Sequence, residues 1–594
     1  MTNFRTFTEL VLERTATRSA ADAFVFLPDD ARGSVPRHLT FADLDREARR
    51  IASWLQSRGA AHRPVLLLYP SSLDFITAFT ACLYAGAVAV PAPVPTEQGR
   101  GYTRVAGILR DAEAAAVLTD AAHAPEVAQW LRAEGFTGVP CAATDDPALG
   151  DAGAWAAPAL TPDSLAFLQY TSGSTSEPKG VAVSHRNLLA NQAAIQRSIG
   201  TGPDTVCGGW LPFYHDMGLI GHILHPVYLG APGVLMAPFT FLKRPHSWLR
   251  MIGDYGVTTG GGPNFAYDLC VRRVTDAQLA TLDLSTWTTA NNGAEPVRAE
   301  TIRAFTERFA PAGFRPEAFF PCYGMAETTL LVSGIPRTAG PRVLDADAAA
   351  LERGELAGAR PGRPVRSLVS SGVVRDFALA VVDPETCEEK PEGHVGEIWL
   401  KGDSVAGGYW KRPETNKEVF DAAVSDGSGG HDAGGWLRTG DLGALKDGQL
   451  YVTGRLKEVL VLAGRNLYPQ DVERAVQGAD PALGSGAGAV FAVHTDHEHL
   501  VAVQEVRPGT ATDLPALASA VQRRISAEFA VPAGNVLLVR PGTVRRTTSG
   551  KVQRTLMRDL FLQGRVSALH AVLEPAVRAL AAPPGAAPSP EAVV

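Results

Sequence analysis

The stretch 165–184 constrains this chain more than any other. The apolar run Leu165-Ala166-Phe167-Leu168 reads as a buried strand. Gln169-Tyr170-Thr171-Ser172-Gly173-Ser174-Thr175-Ser176-Glu177-Pro178-Lys179-Gly180 follows it directly. Then come Val181-Ala182-Val183 and Ser184, a good N-cap for a helix beginning near His185. A loop of hydroxyl residues and glycines between apolar segments can turn several backbone N–H groups toward one anion. Ser and Thr hydroxyls add donors, and Lys179 adds a point charge. We read it as a loop for the phosphates of a nucleotide. The Gly-Lys-Ser/Thr ending of a Walker loop is absent.

The surroundings predict an α/β fold. Residues 1 to about 60 read as helical, with Leu44, Ala48, Ile51, Ala52 and Leu55 at helical spacing. Short apolar strands at 64–70, 87–91, 115–118 and 136–142 then alternate with helices at 75–85, 103–113 and 124–134. That alternation is the pattern of a parallel sheet wrapped by helices. At 594 residues the chain is too long for one ordinary domain. After Gly454-Arg455-Leu456-Lys457 the order becomes strand, helix, two strands, helix, strand, the pattern of a small α+β unit. The expectation is therefore a large N-terminal domain of helix-wrapped sheets, 1–456, followed by a small mobile α+β domain, 457–565. The tail 566–594 ends in Ala-Pro-rich sequence, expected to be disordered from about 581. Residues 341–376 interleave charges with Ala and Pro and read as an insertion lying on the surface.

Charge and cysteine usage exclude several classes. A net charge of -7 argues against a nucleic-acid binder. Six scattered cysteines form no Cys-x-x-Cys pair, which suits a reducing cytoplasm. No apolar run is long enough for an integral membrane segment.

Three more constellations bear on chemistry. Trp210-Leu211-Pro212-Phe213-Tyr214-His215-Asp216-Met217-Gly218 sets a His and an Asp in an aromatic turn. A metal reading of His215, His222 and His225 is poor, because the spacing is not His-Glu-x-x-His. Asn291-Asn292-Gly293-Ala294-Glu295 is a turn at a strand end, and Cys322-Tyr323-Gly324-Met325-Ala326-Glu327 places an aromatic, a glycine and an acid together. Jointly they offer a stacking face for a base and a carboxylate for a magnesium ion. Thr439-Gly440-Asp441 is a tight turn whose acid can accept from ribose hydroxyls, and Ser549-Gly550-Lys551 precedes a helix from about 552 to 562.

These motifs, in this order, resemble the adenylate-forming superfamily of acyl-CoA synthetases, luciferases and adenylation domains. The resemblance covers roughly residues 8 to 565. Tyr-His-Asp-Met-Gly-Leu around His215, Gly-Arg-Asn-Leu-Tyr-Pro-Gln-Asp at 464–471 and the segment 341–376 are most similar to the fatty acyl-AMP ligases. The resemblance implies a ligase that activates a medium- or long-chain fatty acid with ATP to acyl-AMP and pyrophosphate. The acyl group would then pass to the phosphopantetheine thiol of a separate acyl carrier protein. Alternatives are transfer to coenzyme A, or activation of an aryl or amino acid; for the last, Asp216 is expected to turn away. The resemblance also implies site roles. Thr171, Ser172, Gly173, Ser174, Thr175 and Lys179 would hold the β- and γ-phosphates of ATP. Tyr323, Gly324 and Met325 would lie against the adenine, with Gly293, Ala294 and Glu295 on its other side. Glu327 would hold Mg2+, Asp441 and Arg455 would grip the ribose, and His215 would lie by the fatty carboxylate. Lys457 would be the hinge of the small domain and Lys551 its adenylating lysine. The insertion would pack between the two domains and disfavour the arrangement used with coenzyme A.

Overall fold

The computed structural model describes residues 4–29, 35–95, 100–171, 178–425, 430, 432–462, 465–484, 486–507, 513–547 and 550–581; the side chains at 100, 101 and 171 are not described. The α/β expectation holds. A six-stranded sheet runs in the order Cys141–Ala143, Ala116–Thr119, Pro64–Leu68, Val88–Ala92, Leu165–Thr171, Lys179–Ser184. Its pairs are parallel except the last, a hairpin in which Thr171 faces Lys179. Both apolar runs flanking the 172–177 loop are thus adjacent strands. Ser184 caps the helix His185–Ile199 reciprocally with Asn187, which explains why the second strand ends there.

A nine-stranded sheet packs beside it. Its centre is parallel: Thr289–Asn292 lies between Thr259–Gly262 and Phe319–Gly324, and Cys207–Gly209 flanks the set. All four of these strands run the same way, so the segments after them open at one end. That is where open α/β sheets bind ligands.

The core lies between and outside these sheets. Phe24, Phe75, Phe79 and Phe167 join the two sheets and the helices Phe41–Ser57 and Leu73–Ala85 in one apolar cluster. A second cluster, with Trp248, Tyr267, Trp287, Phe305 and Phe319, supports the far face of the nine-stranded sheet. Fully burying each such ring contributes on the order of 2–3 kcal/mol.

The helical reading of the first 60 residues needs correction. Between the helices Phe7–Thr17 and Phe41–Ser57 runs a strand, Asp22–Leu27, paired in parallel with Gly233–Met236. Its middle residues are buried on both faces, so period-two alternation is missing, and its partner lies some 200 residues away.

Residues 341–376 are also more than a surface insertion. Val343–Asp347 and Val365–Val369 pair antiparallel, with a short helix, Ala348–Glu352, between them. Ala346, Leu351, Leu356 and Leu368 are buried together with Leu442, Tyr451 and Tyr468. Arg353, Glu355, Arg360 and Arg363 of this unit are exposed, whereas Asp347 is buried, where it caps the short helix by accepting from the Ala350 N–H.

Toward the C-terminus a four-stranded sheet forms from Gly488–His494, Glu498–Glu505, Asn535–Val539 and Ala568–Val572. Helices Pro469–Gln477 and Leu514–Phe529 pack on one face of it and Arg554–Leu562 on the other. No helix among the described residues is long and apolar enough to cross a membrane.

Candidate active site

The strand ends open into a cleft of about 1340 Å³. Its walls come from both large sheets, the 341–376 segment and the C-terminal unit. Most of the residues singled out in the sequence line it.

Strand Phe319–Gly324 delivers Tyr323. Its hydroxyl donates to Asp441 Oδ2 at 2.8 Å. Asp441 lies on Leu437–Lys446 directly opposite Arg455 of Gln449–Arg455, and the guanidinium Nε is 3.2 Å from Asp441 Oδ1. Both oxygens of one carboxylate are thereby oriented, one by a phenol and one by a cation. Burial, and then the neighbouring Asp441, push the Tyr323 hydroxyl well above its ordinary range, so it stays a donor. Gly324 is required sterically: a Cβ there would lie 1.8 Å from the Leu330 carbonyl oxygen. Met325 follows, with its Sδ 3.8 Å from the Tyr323 hydroxyl.

Across the cleft, Gly293 and Ala294 leave the end of strand Thr289–Asn292. Ala294 adopts a left-handed φ of 67°. A Cβ on Gly293 would meet the Cys322 carbonyl at 2.9 Å, so the two strand ends approach closely. Glu295 is turned inward and accepts from the Phe265 N–H at 2.6 Å, at the first turn of helix Asn264–Arg273. Burial raises its carboxyl despite that bond.

Glu327 is 9% exposed. Its Oε1 accepts from the Tyr409 hydroxyl at 2.8 Å, and burial holds its carboxyl above the usual range. Among the described residues no cation pairs with it. A carboxylate buried in that state fits a divalent ion. Lys179 stands with Nζ 5.2 Å from the centre of the Tyr409 ring, so the loop lysine and the acid share one aromatic neighbour. Tyr409 was not apparent from the sequence; the aromatic after Gly407-Gly408 is the signal that points to it.

His215 also lines the cleft, with Nδ1 2.6 Å from Asp216 Oδ1. The expectation that Asp216 turns away is incorrect. Burial raises its carboxyl, but His215, Lys551 and the Met217 N–H together bring it below the ordinary value. That carboxylate is engaged and is not free for a substrate ammonium.

Lys551 arrives from the C-terminal unit. Its turn is closed by the Arg546–Val552 bridge and by the Lys551 N–H donating to Thr547 Oγ1 at 3.0 Å. Burial and Arg455 lower its ammonium, while Asp216, Asp441 and Glu295 favour the charged form. One lysine therefore sits in the field of acids from three separate segments of the chain. Lys457 lies in the short turn Leu456–Glu458 at the cleft wall. Beside it, Arg554 clasps Glu458 at 2.6 Å and Glu473 at 2.7 Å, fixing the helix that follows Lys551.

Thr171 ends its strand beside the cleft, whereas Ser172, Gly173, Ser174 and Thr175 lie outside the described residues. The arrangement offers an aromatic face, a doubly held acid for vicinal hydroxyls, an acid for a metal and two lysines. Ile195, Ile199, Leu330 and Leu331 add apolar lining to the same cleft.

Comparison with known proteins shows the family. The family model described as AMP-binding enzyme matches residues 12–410. The medium-chain-fatty-acid–acyl-carrier-protein ligase JamA of Moorena producens is 40% identical over 573 residues, 94% of this chain and 96% of that one. The corresponding ligase TtuA of Teredinibacter turnerae is 37% identical over 605 residues, 94% of each chain. The crystal structure of a fatty acyl-adenylate ligase from Legionella pneumophila, in complex with acyl adenylate and pyrophosphate, gives a TM-score of 0.74 at 35% identity. It covers 96% of this chain and 98% of that one.

Proposed function

Since the chain belongs to the AMP-binding enzymes, we propose that it is a ligase that activates a medium- or long-chain fatty acid with ATP. A carboxylate oxygen of the acid attacks the α-phosphorus, the bond to the β-phosphate oxygen breaks, and pyrophosphate leaves with the electron pair. The phosphopantetheine thiolate of a separate acyl carrier protein then attacks the acyl carbon and AMP leaves. The observation that carries this reading is Lys551: it enters the cleft that already holds Tyr323, Asp441 and Glu327.

The barrier is repulsion between a carboxylate and a polyanion. Lys551 would bridge the carboxylate and the α-phosphate oxygens, a fixed charge where negative charge develops. Asp441 would accept from the ribose hydroxyls, its two oxygens already oriented by Tyr323 and Arg455. The Tyr323 ring and the Gly293–Ala294 backbone would sandwich the adenine. His215, held by Asp216, would face the fatty carboxylate. Lys179, with Thr171 and the hydroxyl loop, would hold the β- and γ-phosphates. Glu327 would hold a magnesium ion, which when bound supplies positive charge against the departing pyrophosphate. The apolar lining of the cleft would take the alkyl chain, at about 0.8 kcal/mol for each buried CH₂.

The acceptor follows from the 341–376 unit. It ties to the C-terminal unit through Glu352–Arg465 and Arg366–Asp471. We take this as holding the adenylating arrangement and opposing the rotation about Lys457 that delivery to coenzyme A requires. Six unpaired cysteines suit a cytoplasmic location. The test is incubation with ATP, a C8–C16 acid series and either coenzyme A or a holo-carrier protein. Acyl-CoA formed as fast as acyl-carrier protein overturns the acceptor; absence of pyrophosphate release with every acid overturns adenylation itself.

A further inference from the structure

The segment that begins with the His215–Asp216 pair continues as a π-helical turn, Met217–Leu224, and then the helix His225–Leu229. Wide turns of this kind are uncommon and often serve sites. His222 sits within it, 3% exposed, and lines the cleft. The ring lies directly over Gly209: a Cβ built there would be 2.0 Å from Nδ1. Neither ring nitrogen has a hydrogen-bond partner among the described residues. Its neighbour His225 is the contrast, for Nδ1 meets Gln192 Oε1 at 2.6 Å and Nε2 meets Thr201 Oγ1 at 2.9 Å. The apolar residues Ile195, Ile199, Leu330 and Leu331 line the same cleft.

An unpartnered buried polar group is costly, and most such groups in folded proteins find a partner. Burial holds the His222 ring neutral, with its proton lost above about 4. A neutral imidazole has one N–H to donate and one nitrogen to accept. A plain alkyl chain satisfies neither. A hydroxyl satisfies either one, whichever tautomer is present. His222 lies seven residues beyond His215 on the same segment. With His215 at the fatty carboxylate, as in the reading above, His222 would lie further along the alkyl chain.

We propose that His222 is a specificity residue that recognises a hydroxyl group on the acyl chain, so that the preferred substrate is a hydroxy fatty acid. This rests on the acyl-AMP reading above. Water in the cleft is the competing partner for His222, and it does not distinguish one acid from another.

The experiment compares pyrophosphate release for decanoic acid and its positional monohydroxy isomers. The wild-type protein is expected to favour one isomer by about tenfold in kcat/KM, mostly through KM, because a site built to bond a hydroxyl rejects the analogue lacking it. In His222→Leu that ratio is expected to fall to near one while plain decanoate is still activated. In His222→Gln, which keeps a donor and an acceptor, a preference is expected to remain. A wild-type protein that ranks decanoate above every hydroxy isomer overturns the proposal, whatever the variants do. So does a preference unchanged in His222→Leu. Adenylation of no acid at all overturns instead the reading on which the proposal stands.

Discussion

Glu352 and Arg465 form a two-pronged ion pair, with Nε 2.8 Å from Oε2 and Nη2 2.9 Å from Oε1. Glu352 ends the short helix of the 341–376 unit, and Arg465 opens a strand of the hairpin that follows Lys457. The hydrogen bonds to Glu352 raise the guanidinium above its ordinary value. Fork-to-fork geometry is the strong form of this contact, and the planar guanidinium fixes orientation as well as distance. Glu352→Ala is expected to loosen the C-terminal unit without touching the cleft. Adenylation should stay within twofold of wild type, while transfer from acyl-AMP to coenzyme A should rise roughly fivefold, about 1 kcal/mol. Single-turnover transfer from pre-formed acyl-AMP is the measurement. An unchanged coenzyme A rate would show that the pair does not restrain the unit.

Lys551 should separate the two half-reactions. Lys551→Ala is expected to lower acyl-AMP formation by roughly 10³-fold, since a preorganised charge at the reacting phosphate is removed. ATP binding, measured by calorimetry, should weaken by less than about tenfold, because Tyr323, Asp441 and Arg455 remain in place. Transfer from supplied acyl-AMP to the carrier should persist. Normal adenylation by the variant would remove Lys551 from the reaction.

Much of this was legible in the sequence because the chemistry sits at strand ends, where motifs are contiguous. Tyr323-Gly324-Met325 and Gly293-Ala294-Glu295 each come from one turn, so spacing alone brings the atoms together. The α/β class followed from alternation of short apolar runs and helices. What stayed hidden depends on contacts between distant residues. Tyr323 and Asp441 are 118 positions apart, and only the folded sheet makes their 2.8 Å bond. Strand Asp22–Leu27 is specified by a partner far along the chain. Asp216 was misjudged because side-chain direction at a turn depends on what packs against it, here His215 and Lys551. The 341–376 unit reads as external because charge dominates its composition, yet Ala346, Leu351, Leu356 and Leu368 are buried with Leu442, Tyr451 and Tyr468, far along the chain.

Tyr323→Phe tests the ribose site. The variant keeps the ring face but removes the donor to Asp441 Oδ2, leaving Arg455 alone on that carboxylate. Losing one hydrogen bond to a charged group costs about 1.5–3 kcal/mol when the acceptor stays buried. The expected result is a KM for ATP raised about tenfold with kcat changed less than threefold. Replacing ATP by its 2′-deoxy form should then cost the variant less than it costs wild type. Equal penalties in the two proteins would show that the phenol does not orient the acid.

Buried histidines should make stability depend on pH. Burial lowers His185 and His222 to about 4 and His225 to about 3. Unfolded, each takes a proton near its ordinary 6.5. Between 6.5 and about 4 the unfolded chain therefore binds more protons than the folded one. The stability these groups contribute is complete above 6.5 and falls as pH drops through that window, by up to about 1.4 kcal/mol per pH unit for each ring. Glu295 and Glu327, raised by burial, act in the opposite sense where their window overlaps, so the raw slope is a net value. A variant isolates one ring. His225→Gln keeps an amide that can meet Gln192 and Thr201, the two partners of the native ring. Urea unfolding of both proteins at pH 7.5, 6.5, 5.5 and 5.0 should show the variant gaining on wild type as pH falls, by about 2 kcal/mol across the range. A constant difference between the two curves would mean that His225 takes its proton as readily in the folded protein as in the unfolded one.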